Sequence, residues 1–269
     1  MATRPGARAR IWTRPKKLTK HFSRRKQTCK TGGMNYPAKN RTGWLGAALI
    51  AVAVSLGIWL HFAPAWRPRE YAMNIWLASH SNSVIDATVR AVSAIFSPAN
   101  GGIAVLSLLI ALAIGRTRRQ ARPAVKFIVL SICGWAGTAI LKWLFSVPRP
   151  ERAGLCPRYV SGQCYWIMNA RSVDSFPSGH ATAATTLVMA TLLVAFTPGL
   201  CRRVSAVMGS MIVALVALTR IYAGVHYPSD TVAGVLVGAG AVLGAAWIWD
   251  KMEARRLTTK QTHPAQSST

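Results

Sequence analysis

Acidic residues are scarce in this chain. Its 269 residues include only 7 Asp and Glu, against 33 Lys and Arg, so the formal net charge is +26 at pH 7. Few of these cations can be neutralised by a carboxylate of the same chain. Partners that carry negative charge are therefore favoured, and anionic lipids, nucleic acids and phosphorylated substrates are the classes to distinguish.

The first 43 residues lack acids altogether and contain thirteen Lys or Arg. No aromatic residues are interleaved with these cations in a stacking pattern, which disfavours an arm that binds nucleic acid. No cleavage site follows the next apolar run, which disfavours a secretory signal peptide. Segment 1–43 is predicted to be a disordered cytoplasmic tail, with Met34 as an alternative start; the other reading is an arm attracted to anionic lipid.

Charge is also rare in six apolar runs, which alternate with short basic clusters. This pattern is typical of a polytopic membrane protein, since a span needs about 20 apolar residues. The predicted fold class is all-α, a membrane helix bundle with about six transmembrane helices. The second run is short for a span and could be a tilted or partly buried helix. The runs are Trp44–Phe62, Ile103–Ile114, Phe127–Phe145, Ala181–Phe196, Val204–Tyr222 and Thr231–Trp249.

Lys and Arg mark one side of this bundle. They are concentrated before the first span, at 116–126, at 201–203 and at 250–260, and six spans place all four segments on the same side. By the positive-inside rule that side is the cytoplasm, so both termini are predicted to be cytoplasmic. The predicted organisation is a membrane domain at 44–249 followed by a cytoplasmic tail at 250–269.

Two segments on the opposite, outer side have features of their own. Segment 71–97 alternates polar and apolar residues at helical spacing, which predicts one or two amphipathic helices on the outer interface. The outer loop at 148–176 contains Cys156 and Cys164, which are predicted to form a disulfide, the alternative being two free thiols. The same loop carries Arg152, Arg158 and Arg171, which we expect to influence substrate specificity.

Polar residues collect at the outer ends of the predicted spans. Three of them are permanent cations with few carboxylates nearby, and three others open the fourth span, where helix N–H groups are free to bind an anion. The cations are Lys142, Arg149 and Arg220, and the residues at the helix start are Ser178, Gly179 and His180. Together they predict a phosphate-sized site that also stabilises negative charge developing on phosphorus.

Two histidines and one aspartate complete this set. Asp230 follows His226 by four residues, so its carboxylate can bind one ring nitrogen and leave the other as a nucleophile. His180, beside the expected phosphate, is placed to protonate a leaving alkoxide. A metal site made of these three side chains is the alternative, and the surrounding cations argue against it because they would repel a divalent ion.

Three segments carry a resemblance to a known family. They are "KWLFSVPRP" at 142–150, "PSGH" at 177–180 and "TRIYAGVHYPSD" at 219–230. They resemble the signature K-x6-RP, PSGH, SR-x5-H-x3-D of the type 2 phosphatidic acid phosphatases, or lipid phosphate phosphatases, which share a helical core with vanadium haloperoxidases. Thr219 replaces the serine of the pattern and keeps a hydroxyl. The apolar spans exclude a soluble haloperoxidase.

The resemblance implies a function and a role for each residue. It implies a phosphatase that acts on a phosphorylated lipid at the external leaflet, in a bacterial inner membrane with its site facing the periplasm, and that needs no metal and no cofactor. His226 would form a phosphohistidine, oriented by Asp230, with His180 as the acid. Lys142, Arg149, Ser178, Gly179 and Arg220 would hold the phosphate. Alternatives are a lipid phosphotransferase, a lipid A phosphatase, and a non-enzymatic lipid-phosphate binder or transporter.

Overall fold

The computed structural model describes residues 40–97, 101–151, 154–156, 158–160, 163–165 and 174–262. Within these residues the chain forms eight helices and one short hairpin. The helices are α1 Asn40–Phe62, α2 Trp66–Ser79, α3 Ser83–Ile95, α4 Gly102–Arg118, α5 Ala121–Phe145, α6 Gly179–Ala195, α7 Leu200–Tyr222 and α8 Pro228–Thr262. The hairpin pairs β1 Arg158–Val160 with β2 Gln163–Tyr165 in antiparallel register.

The helical membrane architecture predicted from the apolar runs is confirmed. Helices α1, α5, α7 and α8 are long and apolar enough to cross a membrane, judged by length and composition, and α6 is a shorter apolar helix. Many large apolar side chains on these helices face outward, including Trp44, Ile140 and Met211. Such a surface is stable in lipid but not in water. The full number of six spans stays a prediction.

Several element boundaries differ from those expected. Helix α8 continues to Thr262, so the segment predicted as a tail from residue 250 begins as helix. Helix α4 is longer than the run at 103–114, and the outer amphipathic segment forms two helices, of which α2 begins before residue 71. The hairpin adds a small β element to the predicted all-α fold. Residues 1–39 of the predicted tail lie outside the described residues.

The outer loop is described in part. The structure joins Cys156 and Cys164 by a disulfide, with their Cα atoms 5.8 Å apart. An isolated bridge pairs Pro148 with Asp174, so the two ends of the loop lie side by side. Arg152 and Arg171, two of the loop cations expected to influence specificity, lie outside the described residues.

Helix α8 packs closely against the start of α6. A Cβ atom on Gly234 would lie 2.6 Å from the carbonyl oxygen of Ser178, and one on Gly238 would lie 2.8 Å from that of Thr182. Both separations are too short for any residue other than glycine without a shift of the backbone, as is common where membrane helices pack through small residues. The close packing brings the first turn of α6 beside the first turn of α8.

The two ends of the bundle differ in chemistry. At one end α5 and α7 finish while α6 and α8 begin, and the predicted site residues lie there. At the other end the basic residues pair with groups of neighbouring helices. Lys126 binds Asp250, Arg122 binds Glu253 at 3.1 Å, and Arg118 donates to the carbonyl oxygens of Val194 and Ala195.

Candidate active site

All eight predicted site residues lie at this one end of the bundle. Those that come from α5 and the loop after it are Lys142 and Arg149, and those that open α6 are Ser178, Gly179 and His180. The remaining three are Arg220 in the last turn of α7, His226 in the turn that follows, and Asp230 in the first turn of α8. Hydrogen bonds link them into two groups, one around His226 and the other around His180.

The start of α8 explains the position of Asp230. Pro228 is the first helical residue, where its missing N–H costs nothing. The Asp230 carboxylate reaches back to accept the backbone N–H of Tyr227 at 3.0 Å, as an acidic residue does at the third position of a capped helix. Ser229 lies inside the first turn of α8. The cap therefore fixes Asp230 beside the turn that carries His226.

His226 is almost completely buried, and the partners of its ring nitrogens define its tautomer. Nε2 lies 3.0 Å from Nη1 of Arg149, which can only donate, so Nε2 accepts and has a lone pair. Nδ1 lies 3.4 Å from Oδ2 of Asp230, and a carboxylate can only accept, so Nδ1 has the hydrogen. The ring is therefore the neutral tautomer whose free electron pair is on Nε2.

Ser175 bridges His226 and Asp230. Its hydroxyl donates to Oδ2 of Asp230 and lies 3.3 Å from Nδ1 of His226, so its oxygen can accept the Nδ1 hydrogen. Its backbone N–H donates to the carbonyl of Val147 at 2.6 Å, which holds Ser175 against the start of the loop that follows α5. The histidine is thus oriented by the carboxylate both directly and through the hydroxyl.

Burial sets the charge of His226. It lowers the pKa of the ring well below its usual range, and the positive charge of Arg149 lowers it further, although Asp230 opposes the shift. Burial also lowers the pKa of Arg149, whose starting value is so high that the guanidinium stays charged. At neutral pH the site therefore contains an uncharged, nucleophilic imidazole next to a permanent cation.

His180 has a different set of partners. Its Nε2 lies 3.2 Å from the backbone carbonyl of Ser93 on α3, which can only accept, and a hydrogen on Nε2 satisfies this shorter of its two contacts. Nη1 of Arg220 lies 3.4 Å from the same nitrogen and adds positive charge beside it. The two groups are close enough for Arg149 and Arg220 to repel each other, which an anion between them would relieve.

Two of the predicted phosphate ligands use only backbone partners. Nζ of Lys142 donates to the carbonyl oxygen of Asp174 at 2.7 Å. Ser178 is the N-cap residue of α6, yet its side chain makes no capping bond, and its backbone N–H donates to the carbonyl of Asp230 at 2.8 Å. Its buried hydroxyl has no hydrogen-bond partner among the described residues, which leaves it able to bind a ligand.

Sequence reasoning missed the side chains that α2 contributes. Arg67 binds Oδ1 of Asp230 at 2.8 Å, and Asn74 donates to the carbonyl oxygen of His226 at 2.8 Å. Glu70 accepts the hydroxyl of Ser229 at 2.8 Å. A signal was available, because residues 67, 70 and 74 share one helix face and Glu70 is one of only 7 acids in the chain.

A metal site was the alternative arrangement for these residues. In the part of the chain that the structure describes, no three or more His, Cys, Asp or Glu side chains are grouped so that they could hold a metal ion. The acidic and imidazole groups are instead occupied with one another and with cations. The arrangement is suited to binding an oxyanion, attacking it from Nε2 of His226 and supplying a proton from His180.

Comparison with known proteins agrees with this geometry. Residues 123–254 match the model of the PAP2 superfamily. The decaprenylphosphoryl-5-phosphoribose phosphatases of two Mycobacterium tuberculosis strains are 34% identical over 146 residues, which is 53% of this chain and 70% of theirs. The fold is similar to the crystal structure of a transmembrane PAP2 type phosphatidylglycerolphosphate phosphatase from Bacillus subtilis, with a TM-score of 0.61 and 17% identity, covering 80% of this chain and 98% of that one.

Proposed function

The chain belongs to the PAP2 superfamily and is a membrane hydrolase of phosphoric esters, and we propose that it removes the terminal phosphate from a polyprenyl-type lipid at the external leaflet through a phosphohistidine. The observation that carries the mechanism is the lone pair on Nε2 of buried, neutral His226, 3.0 Å from a phosphate-binding cation. An anion bound by Arg149 would present its phosphorus to this nitrogen.

The proposed first step forms a bond between Nε2 of His226 and phosphorus, while the ester bond to the lipid alkoxide breaks. With the phosphate dianion bound, His180 is the imidazolium; it gives its Nε2 hydrogen to that alkoxide and becomes neutral imidazole, while Nδ1 of His226 stays hydrogen-bonded to Ser175 and Asp230. In the second step a water molecule attacks phosphorus and returns a proton to His180. The P–N bond breaks, inorganic phosphate leaves, and both histidines regain their starting forms.

The proposed phosphate ligands surround the reacting atoms with positive charge. Arg149 and Arg220 offer planar forks that match phosphate oxygens, and Lys142 offers a point charge. The Ser178 hydroxyl and the Gly179 backbone N–H at the start of α6 add donors. The site contains these three cations and one buried carboxylate, Asp230, so it favours a dianionic ligand. The cations stabilise the phosphate oxygens more strongly as negative charge develops on them.

Orientation and substrate are supported by separate observations. The basic residues lie at the end of the bundle opposite the site, so the positive-inside rule favours a site open to the external side, with both termini in the cytoplasm. The 34% identity to enzymes named for a decaprenyl-linked phosphoribose supports a phosphomonoester on a long isoprenoid lipid. Phosphotransfer to a second lipid is the competing reaction of the same phosphohistidine.

The test is phosphate release by the purified protein in detergent with a chelator present. The panel contains decaprenylphosphoryl-5-phosphoribose, undecaprenyl diphosphate, phosphatidylglycerophosphate, phosphatidic acid and a lipid A. We expect the isoprenoid monoester to have the highest kcat/KM, and chelation to have no effect. His226→Ala should abolish release, whereas His61→Ala, at an exposed histidine at the end of α1, should not.

Other outcomes would contradict parts of the proposal. Binding of the lipid phosphate without any turnover would favour a binder or transporter. Phosphate that appears on a second lipid instead of in solution would favour a phosphotransferase. Activity that survives His226→Ala, or that requires an added divalent metal, would overturn the mechanism.

A further inference from the structure

Helix α2 contacts the turn that carries His226. Four of its residues lie on one face at spacings of three, four and seven and bond to the region from Ile221 to Asp230. They are Arg67, Glu70, Tyr71 and Asn74. The segment from residue 71 onward was predicted to form amphipathic helices on the outer interface, and Arg67 and Glu70 precede it. Arg67 and Asn74 are buried, so their polar groups serve the protein interior.

Arg67 has the most direct contact with the reactive group. Its Nη1 donates to Oδ1 of Asp230 at 2.8 Å and to the hydroxyl of Ser229 at 3.2 Å. Its guanidinium also lies 4.6 Å from the centre of the Tyr227 ring, which restricts the side chain to one orientation. The cation is therefore held against the oxygen of Asp230 that does not face His226.

The two carboxylate oxygens of Asp230 have separate partners. Oδ2 accepts from Ser175, from the backbone N–H of Tyr227 and, at 3.4 Å, from His226. The contact of Oδ1 with Arg67 gives the carboxylate a second anchor, so both of its oxygens have fixed partners. A buried ion pair of this kind adds little net stability, because the cost of desolvation offsets the attraction. Its main effect is on the orientation and charge of the carboxylate.

We propose that Arg67 is a positioning residue for the phosphatase reaction, which acts through Asp230 to hold the hydrogen of His226 on Nδ1 and the lone pair on Nε2. The inference rests on the proposed function, since it assigns Arg67 a part in the same reaction. In the described part of the chain the hydrogen bonds of the Arg67 side chain go to Ser229 and Asp230, so it belongs to the support of the histidine and not to the phosphate ligands.

The experiment compares Arg67→Met with Arg67→Lys and with Arg69→Met, which changes an exposed arginine two residues away on the same helix. The substrate is the lipid phosphate that the wild-type protein hydrolyses fastest. We expect Arg67→Met to lower kcat about 100-fold, because small losses of alignment cost that much, while KM and the inhibition constant of inorganic phosphate change less than about threefold. Arg67→Lys should recover about tenfold of the loss, and Arg69→Met should match wild type.

A second measurement separates positioning from a general structural role. On an Asp230→Asn background, Arg67→Met should lower kcat less than about threefold further, because the carboxylate through which Arg67 acts is already lost. Equal losses on both backgrounds, or a rise in KM or in the phosphate inhibition constant at constant kcat, would overturn the proposal. If Arg67→Met fails to fold, Arg67→Lys decides: kcat equal to wild type refutes the proposal.

Failure of the proposal for Arg67 can be told apart from failure of the proposed function. A wild-type protein without phosphatase activity, or one that tolerates His226→Ala, refutes the proposed function itself. A wild-type protein that loses activity on His226→Ala but not on Arg67→Met refutes only the role of Arg67.

Discussion

The two histidines of the site lie on neighbouring helix ends, yet they hold opposite proton states at the same ring nitrogen. Nε2 of His226 faces a guanidinium that can only donate, so it has a lone pair. Nε2 of His180 lies 3.2 Å from a carbonyl oxygen that can only accept and 3.4 Å from Nη1 of Arg220, and the shorter contact is satisfied by a hydrogen on Nε2. Neither state depends on the pattern of the sequence alone. Each is imposed by a partner from a different part of the chain.

The difference shows how one residue type can supply both a nucleophile and an acid. The carboxylate of Asp230 and the hydroxyl of Ser175 take the hydrogen of His226 on the far side of its ring. The partners of the His180 ring among the described residues are the Ser93 carbonyl and Arg220, and neither is a carboxylate. The environment therefore favours loss of a proton from His180 toward a newly formed alkoxide.

The largest effect is expected from removing the lone pair of His226. His226→Gln keeps a polar side chain of similar size but has no nucleophilic ring nitrogen, so kcat should fall about 10,000-fold, as for loss of a covalent nucleophile. Steady-state phosphate release measures this. A loss equal to that of His180→Gln for every substrate would remove the distinction between the two histidines.

A smaller loss is expected at His180, and it should depend on the leaving group. His180→Gln should lower kcat about 100- to 1,000-fold for an alkyl phosphate, because the alkoxide then leaves without a proton. An aryl phosphate, whose phenolate leaves easily, should lose less than about tenfold. Comparison of the two substrates in one micelle system measures this, and identical losses for both would contradict the role of His180 as the acid.

A third, more modest effect is expected at Ser175. Ser175→Ala removes the hydroxyl between His226 and Asp230 but leaves their direct contact at 3.4 Å. We expect kcat to fall about tenfold with KM unchanged, because orientation of the ring weakens while phosphate binding does not. Ser79→Ala, at an exposed serine at the end of α2, is the matched control.

The smallest expected effect is that the His226 ring does not titrate near neutral pH. Burial and Arg149 lower the pKa of His226 well below its usual range. The contribution of the neutral ring to stability is therefore fully present above the unfolded pKa of about 6.5, and the ring stays neutral as pH falls below that value. The ring ¹⁵N signals of His226 should therefore stay constant from about pH 8 to pH 5 and report hydrogen on Nδ1. Signals that titrate near 6.5 would contradict this environment.

Much of the architecture follows from the distribution of charge. The apolar runs identified the long helices, and the polar residues at their ends identified the eight site positions, because a membrane penalises such residues unless they are used. Helix α8 continues past residue 250, where the tail was predicted to begin, because the residues there are strong helix formers and the pairs Lys126–Asp250 and Arg122–Glu253 hold it.

The supporting side chains could not be predicted in the same way. Arg67 contacts Asp230 across 163 positions of the chain, and the pattern of α2 indicated only an amphipathic helix. Ser175 lies two residues before the PSGH segment, and its neighbour Asp174 is bridged to Pro148, a contact between distant parts of the chain. Contacts of this kind arise from tertiary packing, which periodicity does not report.

Trapping the phosphoenzyme tests the central claim most directly. The protein would be mixed with a ³²P-labelled lipid phosphate, quenched in alkali within one turnover and digested, and the labelled peptide would be identified. Label that is stable in alkali, labile in acid and attached to His226 is expected, with none on His180 and none in His226→Gln. Full turnover without a labelled histidine, or label on His180, would contradict the assignment of nucleophile and acid.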